Sequence, residues 1–380
     1  MICTSSGSTN EPTIWPRSYK IDQTLIDPHT AFLNKHFQIS KKRTLILISL
    51  MLGTTQAGMM HLQASWGANK SNKVSVISPN GDPENTLFLI QNLYKYYDQI
   101  VCLGYPPLIS DFIDLALNRN LPIHKWNLKI GTTSESTSPI WRNELLKILN
   151  CKEKDIISWY GTTETGMIGF ETKEANSIIS SCIKNKKFRF DTFGTYNLPT
   201  LVELDTLKKY IEIIKGEIVV TVDQVVPLVR YNLHDKGLLI TNHQIRQVAL
   251  KNKIKNIQFD KKNRLYLAVF GRNMGKIFSI EDIRYLLDKL NIYDLFHYEF
   301  QFKEQSFTNT IKLEITLYKR KNKTISETKK ENLVKIITEN LQNIAKIPSK
   351  FILILKIKRS DEQIGYKFGK LRYILESGTK

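Results

Sequence analysis

Short apolar runs recur along the first part of the chain, each followed by a stretch with apolar residues at helical spacing. Residues 44–50 read as a buried strand or the start of a helix, and the small-residue stretch 53–67 after them is compatible with helix. Residues 74–77 predict a short strand and 84–97 a helix. A buried strand at 100–103 is closed by Gly104-Tyr105-Pro106-Pro107, and a helix at 110–118 follows. A strand at 128–130 and a helix at 139–149 complete the series. Strands alternating with helices predict an α/β fold whose mostly parallel sheet is covered on both faces. Residues 20–43 are polar and predict no regular element.

From Gly216 the texture becomes strand-rich. Residues 217–222 alternate and are β-branched, and a strand at 227–231 precedes a turn at Asp235-Lys236-Gly237. A strand at 265–270 ends at Gly271-Arg272. Beyond it the pattern predicts a helix at 279–290 capped by Ser279, strands near 298–302 and 311–318, a helix at 326–344 and a strand at 351–357. The expected plan is a large α/β domain over 1–270, carrying a β-rich subdomain, and a small α+β domain over 271–380. No internal repeat is present.

Length and composition narrow the class. At 380 residues the chain can bury two or three cores, and 42% hydrophobic with 24% charged residues is ordinary for a globular protein. The longest apolar run, 44–60, is too short and too interrupted to span a bilayer, and no signal-peptide pattern opens the chain; a cytoplasmic enzyme is the default. Cys3, Cys102, Cys151 and Cys182 lie far apart without a CxxC pair, which argues against a cysteine zinc site or a disulfide framework. The net charge of +19 favours anionic partners such as ATP, coenzyme A or an acidic carrier protein. It comes without a basic patch interleaved with aromatics or a nucleic-acid reader motif, so nucleic acid is not the expected partner.

Chemistry gathers in loops. Ser5-Ser6-Gly7-Ser8-Thr9-Asn10-Glu11-Pro12-Thr13 surrounds one glycine with small hydroxyls, a composition that lets backbone and hydroxyl donors close around an anion. Standing alone, such a run is equally a flexible loop. In α/β folds ligands collect at the carboxyl ends of the strands, where Gly131-Thr132-Thr133-Ser134-Glu135 and Tyr160-Gly161-Thr162-Thr163-Glu164 fall. In the second of these an aromatic ring can stack on a purine, and a hydroxyl and carboxylate can reach a phosphate-bound Mg²⁺. Its plainer account is a strand-to-helix turn capped by threonine, with Glu164 in the first turn.

Taken in order, the motifs resemble the acyl-adenylate-forming superfamily, most closely its phenylacetate–coenzyme A ligase branch. They are SSGSTNEPT from Ser5, TSES from Thr133, YGTTE from Tyr160, PLVRYNLHD ending at Asp235, the glycine–arginine pair at Arg272, and GKLR around Lys370. The resemblance implies ATP-dependent activation of a small carboxylic acid as acyl-AMP, then transfer to coenzyme A or a carrier thiol. Ser5, Ser6, Gly7, Ser8 and Thr9 would wrap the ATP phosphates. Ser134, Glu135, Trp159, Tyr160 and Gly161 would form the adenine pocket and one wall of the acyl pocket. Glu164, with Thr163, would hold Mg²⁺, and Asp235 would receive the ribose hydroxyls. Arg272 would sit at the hinge, near the ribose or phosphate of ATP. Lys370 would swing in with the small domain to neutralise charge as carboxylate and α-phosphate join.

The departures define a rival. Asn10 and Glu11 stand where the family prefers glycine and lysine, and Glu11 sets a negative charge beside phosphates. Thr133 replaces a small residue. Asn273-Met274 replace the acidic hinge pair, and Asn232, Leu233 and His234 replace an arginine and threonines before Asp235. Relatives carry on the order of a hundred residues before the phosphate loop, about half a typical domain. The resemblance thus implies a chain without its usual amino-terminal segment: a fragment, a mis-assigned start or half of a split protein. A degenerate, non-catalytic relative that binds a nucleotide or a partner is the alternative to an active ligase, and a homodimer is an expected assembly of the chain. Asp235 read alone is a turn residue, and Lys370 a solvated lysine near a terminus.

Overall fold

The chain starts with a hairpin: β1 (Ile2–Thr4) pairs antiparallel with β2 (Ile14–Pro16). Its neck is closed by Ser5 and Thr13. The Ser5 N–H donates to the Thr13 carbonyl at 2.9 Å, and the Thr13 N–H donates to Ser5 Oγ at 2.9 Å. The computed structural model describes residues 2–5, 13–53, 56–68, 72–135, 137, 139–204, 209–271, 280–290, 292, 295–307, 310–320, 323–345, 350–359, 366–367 and 370–371.

Helix α1 (Tyr19–Phe37) follows the hairpin, over residues expected to be irregular. Ile26, His29, Leu33 and Phe37 are buried along it, a stripe of period three to four in which a histidine stands where an apolar residue would have been legible. Next come β3 (Thr44–Ser49), α2 (Gln56–Gly67), β4 (Val74–Ile77), α3 (Pro83–Leu93), β5 (Gln99–Gly104), α4 (Pro106–Asn118), β6 (Leu128–Thr132), α5 (Pro139–Ile148) and β7 (Ile156–Thr162). All residues of β3 and β5 are buried, as expected of central strands covered on both faces. The prolines after β5 start α4 rather than merely ending the strand: Pro106 occupies the first helical turn, where a missing N–H costs nothing. Asp82 caps α3 by accepting from the Glu84 N–H at 2.9 Å.

The remainder of this unit is β8 (Gly166–Phe170), α6 (Lys173–Lys184), α7 (Lys186–Phe193), β9 (Thr200–Leu204), β10 (Lys209–Ile214), β11 (Glu217–Val222), β12 (Leu228–Thr241), α8 (Asn242–Lys251) and β13 (Leu265–Gly271). One 11-stranded sheet runs β10-β11-β12-β13-β9-β8-β7-β6-β5-β3-β4. Strands β3 to β7 pair parallel, and β7 meets β8 antiparallel, so the α/β half and the β-rich half share one sheet. Two expected turns are different. β7 passes into β8 through a tight reversal at Thr162–Gly166, not into a helix. β12 continues through Asp235-Lys236-Gly237, where register shifts and a φ of 60° at His234 mark a bulge, because residues beyond it still pair with β11.

The chain divides into two units, Met1–Phe270 and Gly271–Lys380. The second contains α9 (Ile280–Leu290), β14 (Phe296–Phe307), β15 (Thr310–Lys319), α10 (Glu327–Ala345), β16 (Lys350–Arg359), β17 (Tyr366–Lys367) and β18 (Lys370–Leu371). β14 and β16 flank β15, antiparallel and parallel respectively, and β17 and β18 form a separate two-stranded pair. The expected cap Ser279 lies outside the described residues. Among the described residues no helix is long and apolar enough to cross a membrane.

Candidate active site

The ends of β6 and β7 carry the loops singled out in the sequence, and buried hydrogen bonds fix both. Thr132 Oγ1 and Ser158 Oγ lie 2.6 Å apart, joining the two strands side chain to side chain. Arg142 of α5 donates to the Ile156 carbonyl at 2.8 Å and to Glu171 at 2.5 Å, and Glu171 accepts from the Ser158 N–H at 2.9 Å. Beyond Thr132 the chain turns through Ser134, whose φ is 72°, to Glu135. Beyond Ser158 successive side chains of β7 point to opposite faces.

On one face Tyr160 packs against the apolar cluster of β8, β9, β11 and β12, together with Trp15 and Tyr231. Its hydroxyl donates to Asp235 Oδ2 at 2.5 Å, across 75 residues of sequence. The bulge in β12 carries Asp235 into the sheet, where it meets the tyrosine. Trp15 of β2 meets Tyr231 of β12 edge-on at 6.0 Å, so the hairpin is seated on the same cluster. Gly161 has no alternative residue: an added Cβ would stand 2.7 Å from the Gly166 carbonyl oxygen.

Thr163 and Glu164 occupy the reversal between β7 and β8, both half-buried. A buried guanidinium reaches this turn. Arg17, just past β2, pairs with Asp22 of α1 at 2.7 Å and donates to Gln224 at 3.0 Å. The amide oxygen of Gln56 on α2 accepts from Arg17 at 2.7 Å, while its nitrogen donates to the Thr163 carbonyl at 2.7 Å. Hairpin exit, α1, α2 and the threonine–glutamate turn thus share one network. Glu164 itself makes no hydrogen bond or ion pair among the described residues.

The other face of β7 presents Trp159. Its indole stacks on His61 of α2 at 5.0 Å, meets His29 of α1 edge-on at 5.3 Å and lies 6.0 Å from Phe32. The imidazoles of His29 and His61 are 4.5 Å apart, centroid to centroid. Burial holds both histidines neutral, His29 well below its ordinary range and His61 at about 4. Gly131 of β6 lies under the indole: a Cβ there would be 2.6 Å from the ring.

The structure therefore joins Tyr160 to Asp235 directly and places Gly161 at the end of β7, with Thr163 and Glu164 in the reversal after it. It sets Ser134 and Glu135 just past β6, turns Trp159 to the other face of β7, and sets Ser5 at the neck of the hairpin. Ser6, Gly7, Ser8, Thr9 and Arg272 lie outside the described residues. Lys370 stands on β18 of the second unit, opposite Lys367. Sequence reasoning missed Arg17, Gln56, Gln224, His29 and His61. Arg17 and Gln224 are 207 residues apart, with nothing local to connect them.

No protein-family profile matches the chain, and no curated protein matches it in sequence. Solved structures do match. One is a 2-hydroxyisobutyryl-CoA ligase in its postadenylation state, 12% identical, covering 99% of this chain and 73% of its own at a TM-score of 0.68. The chain shares the fold of that ligase. An anthranilate–CoA ligase bound to anthranoyl-AMP matches at 12% identity over 98% of this chain and 65% of its own, with a TM-score of 0.60. A benzoate–CoA ligase from Burkholderia xenovorans LB400 matches at 11% over 98% and 68%, with a TM-score of 0.56.

Proposed function

We propose that the chain is an ATP-dependent acid–thiol ligase of the phenylacetate–coenzyme A ligase kind. In the first step a carboxylate oxygen attacks the α-phosphorus of ATP, forming acyl-AMP and releasing pyrophosphate. In the second a thiol attacks the acyl carbon, forming a thioester and releasing AMP. Coenzyme A is the expected thiol, and a carrier protein would present the same group. The observation that carries this reading is the Tyr160–Asp235 hydrogen bond, with Glu164 in the turn that follows the strand carrying Tyr160. A ring for a base and a carboxylate for a ribose are joined directly, and a carboxylate for a cation lies four residues beyond the ring along the chain.

Tyr160, Ser134, Glu135 and Gly161 hold the adenosine, with Asp235 at the ribose. Ser5 and the following hydroxyl residues to Thr9 receive the phosphates. The donor set around Glu164 and Thr163 is hard oxygen, which fits Mg²⁺. No group of three His, Cys, Asp or Glu side chains that could hold a metal occurs among the described residues. The ion would supply charge neutralisation at those phosphates. Residues 1–270 form the adenylate-forming domain and 271–380 a mobile domain bringing Lys370 to the reacting carboxylate, with Arg272 at the hinge. We place this activity in the cytoplasm. Joining two anions is mainly a problem of positioning and cation stabilisation, which these residues address without a general base.

A panel of aryl, fatty and amino acids in an ATP–pyrophosphate exchange assay tests the reading. Acid-dependent exchange is expected, falling by about 100-fold or more in Lys370→Ala and in Glu164→Gln. Glu11, an acidic side chain in the phosphate loop, favours the second reading, a nucleotide-binding relative without catalysis. ATP binding without exchange for any acid would select it.

A further inference from the structure

The cluster beneath Trp159 has polar atoms that nothing among the described residues satisfies. Both ring nitrogens of His29, Nε2 of His61, Nε1 of Trp159 and the hydroxyl of Ser65 are buried without a hydrogen-bond partner. His29 and His61 are 0% and 1% exposed, Trp159 4%, and Ser65 is one helical turn beyond His61 on α2. Buried polar atoms are nearly always paired, and leaving one unpaired is costly. Several in one place point to a polar group that belongs there.

The donors and acceptors define that group. His61 Nδ1 lies 2.7 Å from the Ala57 carbonyl, so Nδ1 carries the proton and Nε2 presents a lone pair. Trp159 Nε1 only donates. His29, neutral, offers one donor and one acceptor whichever tautomer it adopts. A carboxylate or ketone would only accept and leave His61 Nε2 without a proton. An ammonium would only donate and leave the indole N–H unmet. A substrate hydroxyl does both, as a buried water would. The three rings lie within 5.3 Å of one another, centroid to centroid, so the unpaired atoms belong to one contiguous cluster.

The location connects this cluster to the reaction. Trp159 directly precedes Tyr160 on β7, and its ring rests on Gly131 of β6, one residue before the loop that begins at Thr132. We propose that the acid activated here is a hydroxy acid whose hydroxyl is received by Trp159, His61 and His29, making these the residues that select the substrate. The proposal rests on the ligase reading above.

Matched acids test it: benzoate against 2-, 3- and 4-hydroxybenzoate, and butyrate against 2- and 3-hydroxybutyrate, each in pyrophosphate exchange. At least one hydroxylated member should exceed its parent in kcat/KM by about 100-fold or more, as in sites built to bond a substrate hydroxyl. Trp159→Phe and His61→Leu should each cut that ratio by about tenfold or more. A folding defect lowers both rates alike and leaves the ratio in place, so the ratio reads selection alone. Parents used as well as their hydroxylated partners, or ratios unchanged in both variants, would overturn the proposal and leave the cluster to a buried water. If no acid supports exchange, the ligase reading falls by itself. The same acids are then compared by thermal shift on the whole chain, where selective stabilisation by a hydroxylated member, lost in Trp159→Phe, upholds the hydroxyl site, and equal shifts refute it.

Discussion

Arg17 shows how much of the site is carried by one residue that resembles nothing in a motif. Its side chain is 2% exposed and Asp22 12%, so removing the guanidinium would leave a carboxylate buried and unpaired. Arg17→Met should destabilise the protein by about 3–5 kcal/mol, and most of that should return in Arg17→Met/Asp22→Leu, where neither charge remains. Urea midpoints at neutral pH measure both. A loss in the single variant below about 1 kcal/mol would mean that the network does not hold the hairpin to the threonine–glutamate turn. The buried histidines make a separate claim on pH. His61 falls from 6.5 to about 4 because burial penalises its cation, so the unfolded chain takes up the proton first as pH drops. Its contribution is whole above pH 6.5 and is lost as pH falls toward 4, by about 3 kcal/mol for a group of this shift. The difference in stability between wild type and His61→Phe, followed from pH 7 to pH 4, should shrink steadily, whereas a constant difference would show that His61 titrates normally. Tyr160, Glu164 and Asp235 could be picked out as candidates because their motifs are local, and folding joins the first to the last. Arg17 and His29 were not, since their meaning lies in partners brought close only by folding.

At the level of elements, periodicity worked where one residue class did one job. β3 and β5 are unbroken apolar runs and are buried throughout. α1 was missed because its buried stripe includes His29 and because Pro28 and many polar residues disguise the helix. Asp-Lys-Gly at 235–237 looked like a turn because its composition is that of one, yet pairing with β11 on both sides keeps the strand going. Close packing between elements is illegible at this scale, and Gly131 is the clearest case. A methyl group there would lie 2.6 Å from the Trp159 ring and 2.8 Å from Leu103. Gly131→Ala should therefore cost about 1–3 kcal/mol in stability by forcing the indole off its seat. If the cluster under Trp159 receives the acid, the same change should raise KM for the acid by more than it raises KM for ATP. Parallel titrations of the two substrates decide it: equal changes would place Trp159 outside the acid's reach.

For the whole molecule the net charge of +19 is the property with no counterpart in any single motif. It does not shape the fold, but it acts on approaching ligands, and both expected substrates other than the acid are polyanions. An attraction spread over the surface is weakened by salt with a screening length of about 10 Å at 0.1 M. The KM for coenzyme A should therefore rise several-fold between about 50 and 300 mM salt. Pantetheine offers the same thiol without the phosphates, and its KM should stay nearly flat over that range. The contrast isolates the field from any effect of salt on folding or on thioester chemistry, because those would move both thiols together. Equal salt dependence would assign the basic excess to the surface at large, with no part in recruiting the thiol. A steep dependence for coenzyme A alone would tie the charge to the second half of the reaction, the half for which the described residues supply no binding motif.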